Sequence, residues 1–128
     1  MSAESEALLD RAAEALRMAR FGLEVSPDGA ANRAYYAAFH AASALFAAEG
    51  RTFRKHSALE AAVHRDLVRT GRWTEKLGED YSRLARLRGT ADYGAALRVT
   101  QDAAADAVRA AERILAAVSA ALGHGLPP

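Results

Sequence analysis

Several residues able to take part in chemistry fall close together in segment 32–42, which reads NRAYYAAFHAA. Tyr36 and His40 stand four residues apart, a spacing that makes them neighbours on one face of a helix. Arg33 and His40 are separated by about two helical turns, so their side chains also point the same way. Histidine transfers protons near neutral pH, and arginine binds anions through its planar guanidinium group. This polar face indicates either a site or a set of structural hydrogen bonds, and the sequence favours neither.

A helical wheel divides the region around this segment into three faces. An aromatic stripe is expected to fill the core, and it comprises Tyr35, Phe39, Ala42 and Phe46. A polar face lies beside it and comprises Asn32, Arg33, Tyr36, His40 and Ser43. The third face, which we call the alanine face, comprises Ala37, Ala41, Ala44 and Ala48. We expect the alanine face to pack inside the protein or against a second copy of it, and its extent favours the second copy.

A second unusual position is Arg88. The spacing of Leu77, Tyr81 and Leu84 predicts an inward-facing helical stripe, and Arg88 is the next position on it. A buried unpaired charge is costly, so Arg88 needs a partner, which Asp92 could supply from four residues further on. Arg88 therefore either makes a structural ion pair or faces a cleft where it meets a phosphate group, and both interpretations stay open.

Helical periodicity and abundant alanine predict the elements that position these residues. The third predicted helix starts at Ser57, where Ser57 and Glu60 have the spacing of a capping box, and Gly71 ends it. The fourth is expected to stop near Arg88, because glycines interrupt the pattern beyond it. No strand is predicted. The sequence indicates an all-α, up-and-down bundle of about five helices in one domain, 1–128, with helices near 5–23, 30–49, 57–71, 75–88 and 100–122.

Composition narrows the classes of protein further. The 128 residues include 51% hydrophobic residues and no cysteine, which indicates a globular chain without disulfides or thiolate sites. No apolar run approaches the roughly 20 residues of a membrane span, and no secretion signal is visible, so we expect a cytoplasmic protein without a membrane partner. We find no glycine-rich phosphate loop and no acidic cluster with metal-ligand spacing, so we expect no cofactor and no metal.

The net charge of +1 conceals a basic segment at 51–72. Only Glu60 and Asp66 offset its cations, which are Arg51, Arg54, Lys55, Arg65, Arg69 and Arg72. Such a preference for arginine suits phosphate contacts, although it also fits a GC-rich genome or a thermophilic source.

Four blocks in this order resemble the small prokaryotic HEPN-domain proteins, whose name stands for higher eukaryotes and prokaryotes nucleotide-binding. They are NRAYYAAFHAASALF in the second helix, KHS at 55–57, VRTG at 68–71 and RLRGTADYG at the end of the fourth helix. The resemblance covers about residues 5–120 and implies a helical bundle that is usually a homodimer. Many members are encoded beside a minimal nucleotidyltransferase partner, and some such pairs are toxin–antitoxin modules.

Active members of that family are metal-independent ribonucleases with an arginine followed by a histidine four to six residues later. In this chain Arg88 is present, but Tyr93 stands at the histidine position and Asp92 precedes it, as in an RxxADY subfamily. A phenol with a pKa near 10 is a poor general base at neutral pH. The resemblance therefore implies a module without an intact ribonuclease motif, and we assign no catalytic residue.

We expect a nucleotide- or RNA-binding module, with a nucleotidyltransferase as the possible protein partner. A metal-independent ribonuclease that uses a displaced histidine, His40 or His56, is the alternative, and a purely structural dimer is the third. The candidate binding residues are Arg88, Asp92, Tyr93, Asn32, Arg33, Tyr36, His40, Lys55 and His56.

Overall fold

The computed structural model describes residues 2–93 and 98–123, without the side chains of residues 90–93. No strand occurs in these two ranges, which confirms the predicted all-α bundle. No helix within them is long and apolar enough to cross a lipid bilayer. The elements are α1 (Ala3–Gly22), α2 (Pro27–Ala47), α3 (His56–Ala62), a π-helical segment (Val63–Val68), α4 (Glu75–Tyr93) and α5 (Gln101–Leu122).

The long helices α1 and α2 form a closely packed pair. Ser26 caps α2 by accepting a hydrogen bond from the Gly29 amide at 3.0 Å, and Pro27 fits the first helical turn because its missing N–H needs no partner there. A Cβ atom on Gly22, at the end of α1, would lie only 3.2 Å from the Ala30 backbone. At the other end of the pair, the buried Ser5 hydroxyl donates to the Ala44 carbonyl oxygen at 2.8 Å.

The alanine face of α2 lies inside the bundle. Ala37, Ala41 and Ala44 are completely buried within a single chain, and only Ala48, at the C-terminal cap, is exposed. Of the two arrangements that the sequence left open, the structure adopts the internal one. The expectation that this face exceeds what a monomer can bury is therefore wrong, because other helices of the same chain already cover it.

The start of α3 differs from the sequence prediction. The helix begins at His56, Lys55 is its N-cap residue, and no side chain makes a capping hydrogen bond there. The predicted capping box at Ser57 and Glu60 is wrong. Ser57 already lies within the first turn, and the Glu60 carboxylate instead accepts a hydrogen bond from the Ser82 hydroxyl of α4 at 3.1 Å.

After α3 the chain widens into the π-helical segment and turns toward α4. Gly71 makes this turn with φ of +81°, a conformation that favours glycine. The turn buries Trp73, whose amide donates to the Leu67 carbonyl oxygen at 2.9 Å. Gly78 of α4 meets the segment so closely that an added Cβ would lie 2.8 Å from Val68 Cγ2.

Helix α4 is longer than predicted. It continues through Gly89 to Tyr93, so the expected end near Arg88 is wrong. One glycine inside a helix costs only about 1 kcal/mol relative to alanine, which the packing of the preceding turns offsets. The predicted interruption at Gly94 lies outside the described residues.

An ionic cluster joins α4 to α5. The completely buried Asp80 accepts two hydrogen bonds from Arg113, at 2.8 and 3.0 Å, and also contacts Lys76 at 3.4 Å and Arg83 at 3.8 Å. Burial alone would raise the pKa of Asp80, but the hydrogen bonds and charges of Arg113 and Lys76 outweigh it and hold the pKa below its usual value. This carboxylate therefore stays ionised and fixes α4 relative to α5.

Candidate functional site

Tyr36 is the point at which the polar face of α2 meets α4. The guanidinium carbon of Arg88 lies 5.9 Å from the centre of the Tyr36 ring and 5.3 Å from that of Tyr35. The guanidinium carbon of Arg33 lies 5.1 Å from the same Tyr36 ring, and its nitrogens donate to the Asn32 amide oxygen at 2.9 and 3.2 Å. The structure thus brings together Arg33 and Arg88, which stand far apart in the sequence, around one half-buried aromatic ring.

His56 joins these residues from the first position of α3. Its ring stacks on Phe39 with centroids 4.3 Å apart, and its Nδ1 lies 2.7 Å from the Tyr35 hydroxyl oxygen. The Tyr36 ring meets the His56 ring edge-on at 5.8 Å. We refer to Arg33, Tyr35, Tyr36, His56 and Arg88 as the Tyr36 cluster.

The electrostatics of the cluster favour a neutral imidazole beside a permanent cation. Burial lowers the pKa of His56, and the positive charge of Arg88 lowers it further. Burial raises the pKa of Tyr35 despite the opposing charge of Arg88, so its phenol stays protonated. At neutral pH the guanidinium groups of Arg33 and Arg88 are therefore the charges within this cluster, and they suit an anionic ligand.

His40 lies beside the Tyr36 cluster, on the side of α2 that faces α1. Its ring lies 6.1 Å from the Tyr36 ring and 5.6 Å from the Phe39 ring. Burial lowers the pKa of His40, and the charges of Arg11 and Arg33 lower it further. Both His40 and Arg88 thus lie near the Tyr36 ring, so the structure brings three sequence-predicted residues together.

Three sequence-predicted residues remain, namely Lys55, Asp92 and Tyr93. Lys55 is exposed at the N-terminus of α3, and no ion pair to it is found in the described part of the chain. Asp92 and Tyr93 occur in the last turn of α4, but their side chains lie outside the described residues. The predicted pairing of Arg88 with Asp92 therefore stays a prediction.

Ion pairs neutralise part of the basic segment 51–72. Asp66 contacts both Arg51 and Arg65 at 2.9 Å, and Arg72 contacts Glu49 at 2.5 Å. The hydrogen bond from Arg65 is the main reason that the pKa of Asp66 falls to about 2. Much of the positive charge that the sequence suggested for phosphate contacts is thus already engaged within the chain.

Sequence reasoning missed two contributors to the site. The helical wheel places Tyr35 only in the core stripe, yet its hydroxyl reaches His56; a buried tyrosine usually needs such a partner, and this was the available signal. Arg11 gave no signal, because its proximity to His40 depends on how α1 packs beside α2. In residues 2–93 and 98–123 no three histidine, aspartate or glutamate residues are grouped so that they could hold a metal ion.

Comparisons with known proteins define the class to which this fold and site belong. The HEPN domain family model matches residues 5–121, and the chain belongs to that family, a group of nucleotide- and RNA-related modules. This confirms the expectation of a small HEPN-domain protein.

Two known proteins are similar to this chain, one in sequence and one in structure. A UPF0332 protein of Thermotoga maritima is 42% identical over 89 residues, which cover 70% of this chain and 67% of the relative. The crystal structure of TT1696 from Thermus thermophilus is similar in fold, with a TM-score of 0.78 and 26% identity over 93% of this chain and 98% of that one.

Proposed function

We propose that this protein binds a nucleotide or RNA through the Tyr36 cluster and lacks an intact ribonuclease motif. Arg88 carries this proposal, because its guanidinium group is held over two tyrosine rings rather than in the open solvent. A phosphate could bind the two arginines of the cluster, while a base stacks on the partly exposed Tyr36 ring. The HEPN family relationship supports the same class of ligand.

The proposed biological setting is a toxin–antitoxin-like pair, in which a minimal nucleotidyltransferase is the protein partner. This part of the proposal is supported by the resemblance to the RxxADY subfamily around Arg88, Asp92 and Tyr93. A nucleotidyltransferase gene beside that of this protein, whose product co-purifies with it on co-expression, is the expected result. Separate elution of the two proteins at micromolar concentration would contradict the pairing.

We also propose a homodimer, which the resemblance supports. Three large apolar side chains are notably exposed in the described ranges, namely Met18, Phe21 at 82% and Val25 at 84%, all at or just beyond the C-terminal half of α1. The expected mass by light scattering is twice the chain mass of 13.6 kDa. A mass of one chain at tens of micromolar would contradict the dimer.

A second candidate function is a metal-independent ribonuclease that uses His56. One observation favours it: this neutral imidazole lies in the same cluster as Arg88, so a base for a ribose hydroxyl and a cation for the phosphate share one surface. Cleavage of mixed RNA in EDTA that is lost on His56→Gln would establish this activity. We expect no such cleavage from the parent protein, because Tyr93 replaces the motif histidine.

Substitution of Arg88 tests the binding proposal. Arg88→Ala should weaken the binding of a labelled mixed-sequence octaribonucleotide by about tenfold or more, because a hydrogen bond to a charged group is worth about 1.5 to 3 kcal/mol. Arg88→Lys should retain part of the affinity. Fluorescence anisotropy measures the affinity, and urea unfolding measures the stability of each variant.

Arg109→Ala is the matched control, because this exposed arginine on α5 pairs with Asp106 and takes no part in the cluster. It should leave the affinity unchanged. If Arg88 is instead a structural ion-pair residue, Arg88→Ala should destabilise the fold by about 3 to 5 kcal/mol. A variant with parental stability and parental RNA affinity would overturn the assignment of Arg88 to the site.

A further inference from the structure

Two neighbouring cavities lie along the surface between α1 and α2, beside the Tyr36 cluster. One has a volume of about 200 Å³ and includes Phe39, Ser43 and Phe53 in its wall. The other, of about 180 Å³, includes Arg33 in its wall. Arg11 and His40 line both cavities, so the two spaces meet at this pair of side chains.

The cations at this junction are available to a ligand. Arg11 is exposed, and within residues 2–93 and 98–123 it makes no hydrogen bond and no ion pair. Arg33 donates only to the neutral amide of Asn32, so its charge is not compensated by a carboxylate in the same part of the chain. Each cavity also has one carboxylate in its wall, Glu4 in the first and Glu14 in the second. Burial is the main cause of the lowered pKa of His40. Positive charges lower this pKa further, first that of Arg11 and then that of Arg33.

This cationic junction is continuous with the Tyr36 cluster. Arg33 belongs to both, because its guanidinium carbon lies 5.1 Å from the centre of the Tyr36 ring. His40 lies 6.1 Å from the same ring on the side toward α1, and Arg88 lies 5.9 Å from it on the α4 side. Two cations, Arg33 and Arg88, and the neutral imidazole of His40 therefore surround one partly exposed aromatic ring. This arrangement fits a nucleic-acid strand whose phosphates contact the cations while a base stacks on the ring.

We propose that Arg11, Arg33 and His40 form a second phosphate subsite on α1 and α2, and that the ligand is a single-stranded ribonucleotide chain rather than a mononucleotide. This inference rests on the proposed binding function of the Tyr36 cluster and specifies its ligand. A mononucleotide would contact the cluster alone, whereas a chain of two or more nucleotides would place a further phosphate at Arg11.

The experiment compares ligands of different length on charge variants of α1. Affinities for 5′-AMP and for labelled mixed-sequence oligoribonucleotides of about two, four and eight residues are measured at salt concentrations from about 50 to 300 mM. Each phosphate neutralised on a single strand contributes about 0.7 to the slope of log affinity against log salt. Arg11→Gln should reduce that slope for the octanucleotide by about 0.7 and lower its affinity several-fold, without changing the affinity for 5′-AMP.

Two further variants on the same helix serve as controls. Arg17→Gln removes an exposed charge that lies about 120° round α1 from Arg11, and it should leave the slope at the parental value. Glu14→Gln removes a carboxylate from the cavity wall and should strengthen octanucleotide binding.

Each of the remaining outcomes would overturn one part of the proposal. Equal effects of Arg11→Gln and Arg17→Gln, or an unchanged slope in Arg11→Gln, would show that the second subsite does not exist while leaving the Tyr36 cluster intact. Equal parental affinity for 5′-AMP and the octanucleotide would overturn the assignment of a strand as ligand. Failure of the parent to bind any of these probes would overturn the binding function itself and the subsite with it.

Discussion

On one side of α2, Ala37, Ala41 and Ala44 are completely buried in the bundle, whereas on another side Tyr36 and His40 remain partly exposed. Both sets of residues lie on the same regular helix and repeat with the same helical spacing. The first side is completely covered by neighbouring residues. The second carries the Tyr36 ring, the His40 imidazole and the Arg33 guanidinium group, and two cavities lie beside it toward α1.

The difference between the two sides of α2 shows which of its residues serve the stability of the fold and which do not. The alanine face packs against neighbouring helices, which hold it in place. For example, the buried Ser5 hydroxyl of α1 donates a hydrogen bond to the Ala44 carbonyl oxygen. The Tyr36 cluster holds two guanidinium groups near aromatic rings, which a core that served only stability would not require. Substitutions on the two sides should therefore separate stability from binding.

The largest expected effect is on the alanine face. Ala37→Leu inserts a much larger side chain at a completely buried position, so the free energy of unfolding should fall by about 2 to 3 kcal/mol. The affinity of the remaining folded protein for RNA should not change. Urea unfolding and fluorescence anisotropy measure the two quantities.

Ala48→Leu is the control for this substitution, since Ala48 lies on the same face but is exposed beyond the end of α2. It should change stability by no more than about 0.5 kcal/mol. Equal destabilisation by both leucines would show that burial of the alanine face does not determine the loss of stability, and the contrast between the two sides of α2 would fail.

A smaller effect is expected at Tyr36, on the affinity for RNA rather than on stability. Tyr36→Ala should weaken binding of the octaribonucleotide by about tenfold, because stacking of a base on an aromatic ring is worth about 1 to 3 kcal/mol. Tyr36→Phe keeps the ring and should retain most of the affinity. If the alanine variant binds as well as the parent, the ring is structural and the contrast between the two sides fails.

The smallest effect concerns pH. Burial lowers the pKa of His40 and of His56, with further lowering by Arg11 and Arg33 at His40 and by Arg88 at His56. Below the ordinary histidine pKa of about 6.5 the unfolded chain binds protons more readily than the folded one, so stability should decline as the pH falls from about 7.5 to about 5.5. Above this range both histidines are neutral in either state, and they contribute no pH dependence.

Urea unfolding across that pH range tests the assignment. A double variant carrying His40→Gln and His56→Gln should show a shallower decline than the parent, whereas Ala37→Leu should keep the parental slope because its face carries no titratable group. If the double variant keeps the full parental slope of stability against pH, groups other than His40 and His56 cause the pH dependence.

Much of the contrast within α2 was predictable from the sequence. The helical wheel grouped Ala37, Ala41 and Ala44 on one face, which is buried, and placed the polar residues on another face, which is partly exposed. A long regular helix obeys its periodicity closely. The inward direction of Arg88 followed from its position after Leu84 on a buried stripe.

Other features depend on packing that no local pattern encodes. His56 reaches Tyr35 only because segment 48–55 returns the chain across α2, and a loop path is not written in residue spacing. The capping box failed because the Glu60 carboxylate found a partner on α4, which a local motif cannot anticipate. The π-helical segment Val63–Val68 uses ordinary helix-forming residues, so its sequence does not distinguish it from an α-helix. Its close contact with Gly78 exists only in the folded protein.

The burial of Trp73 gives the protein a built-in optical probe. It is the single tryptophan of the chain, and it sits in the turn that joins the π-helical segment to α4. Selective excitation of tryptophan therefore observes one indole group, and unfolding should shift its emission toward longer wavelengths as water reaches the ring. Because Trp73 is not part of the Tyr36 cluster or of the cavities at Arg11, this emission follows the folding equilibrium without a dye, while labelled RNA reports occupancy in the same cuvette.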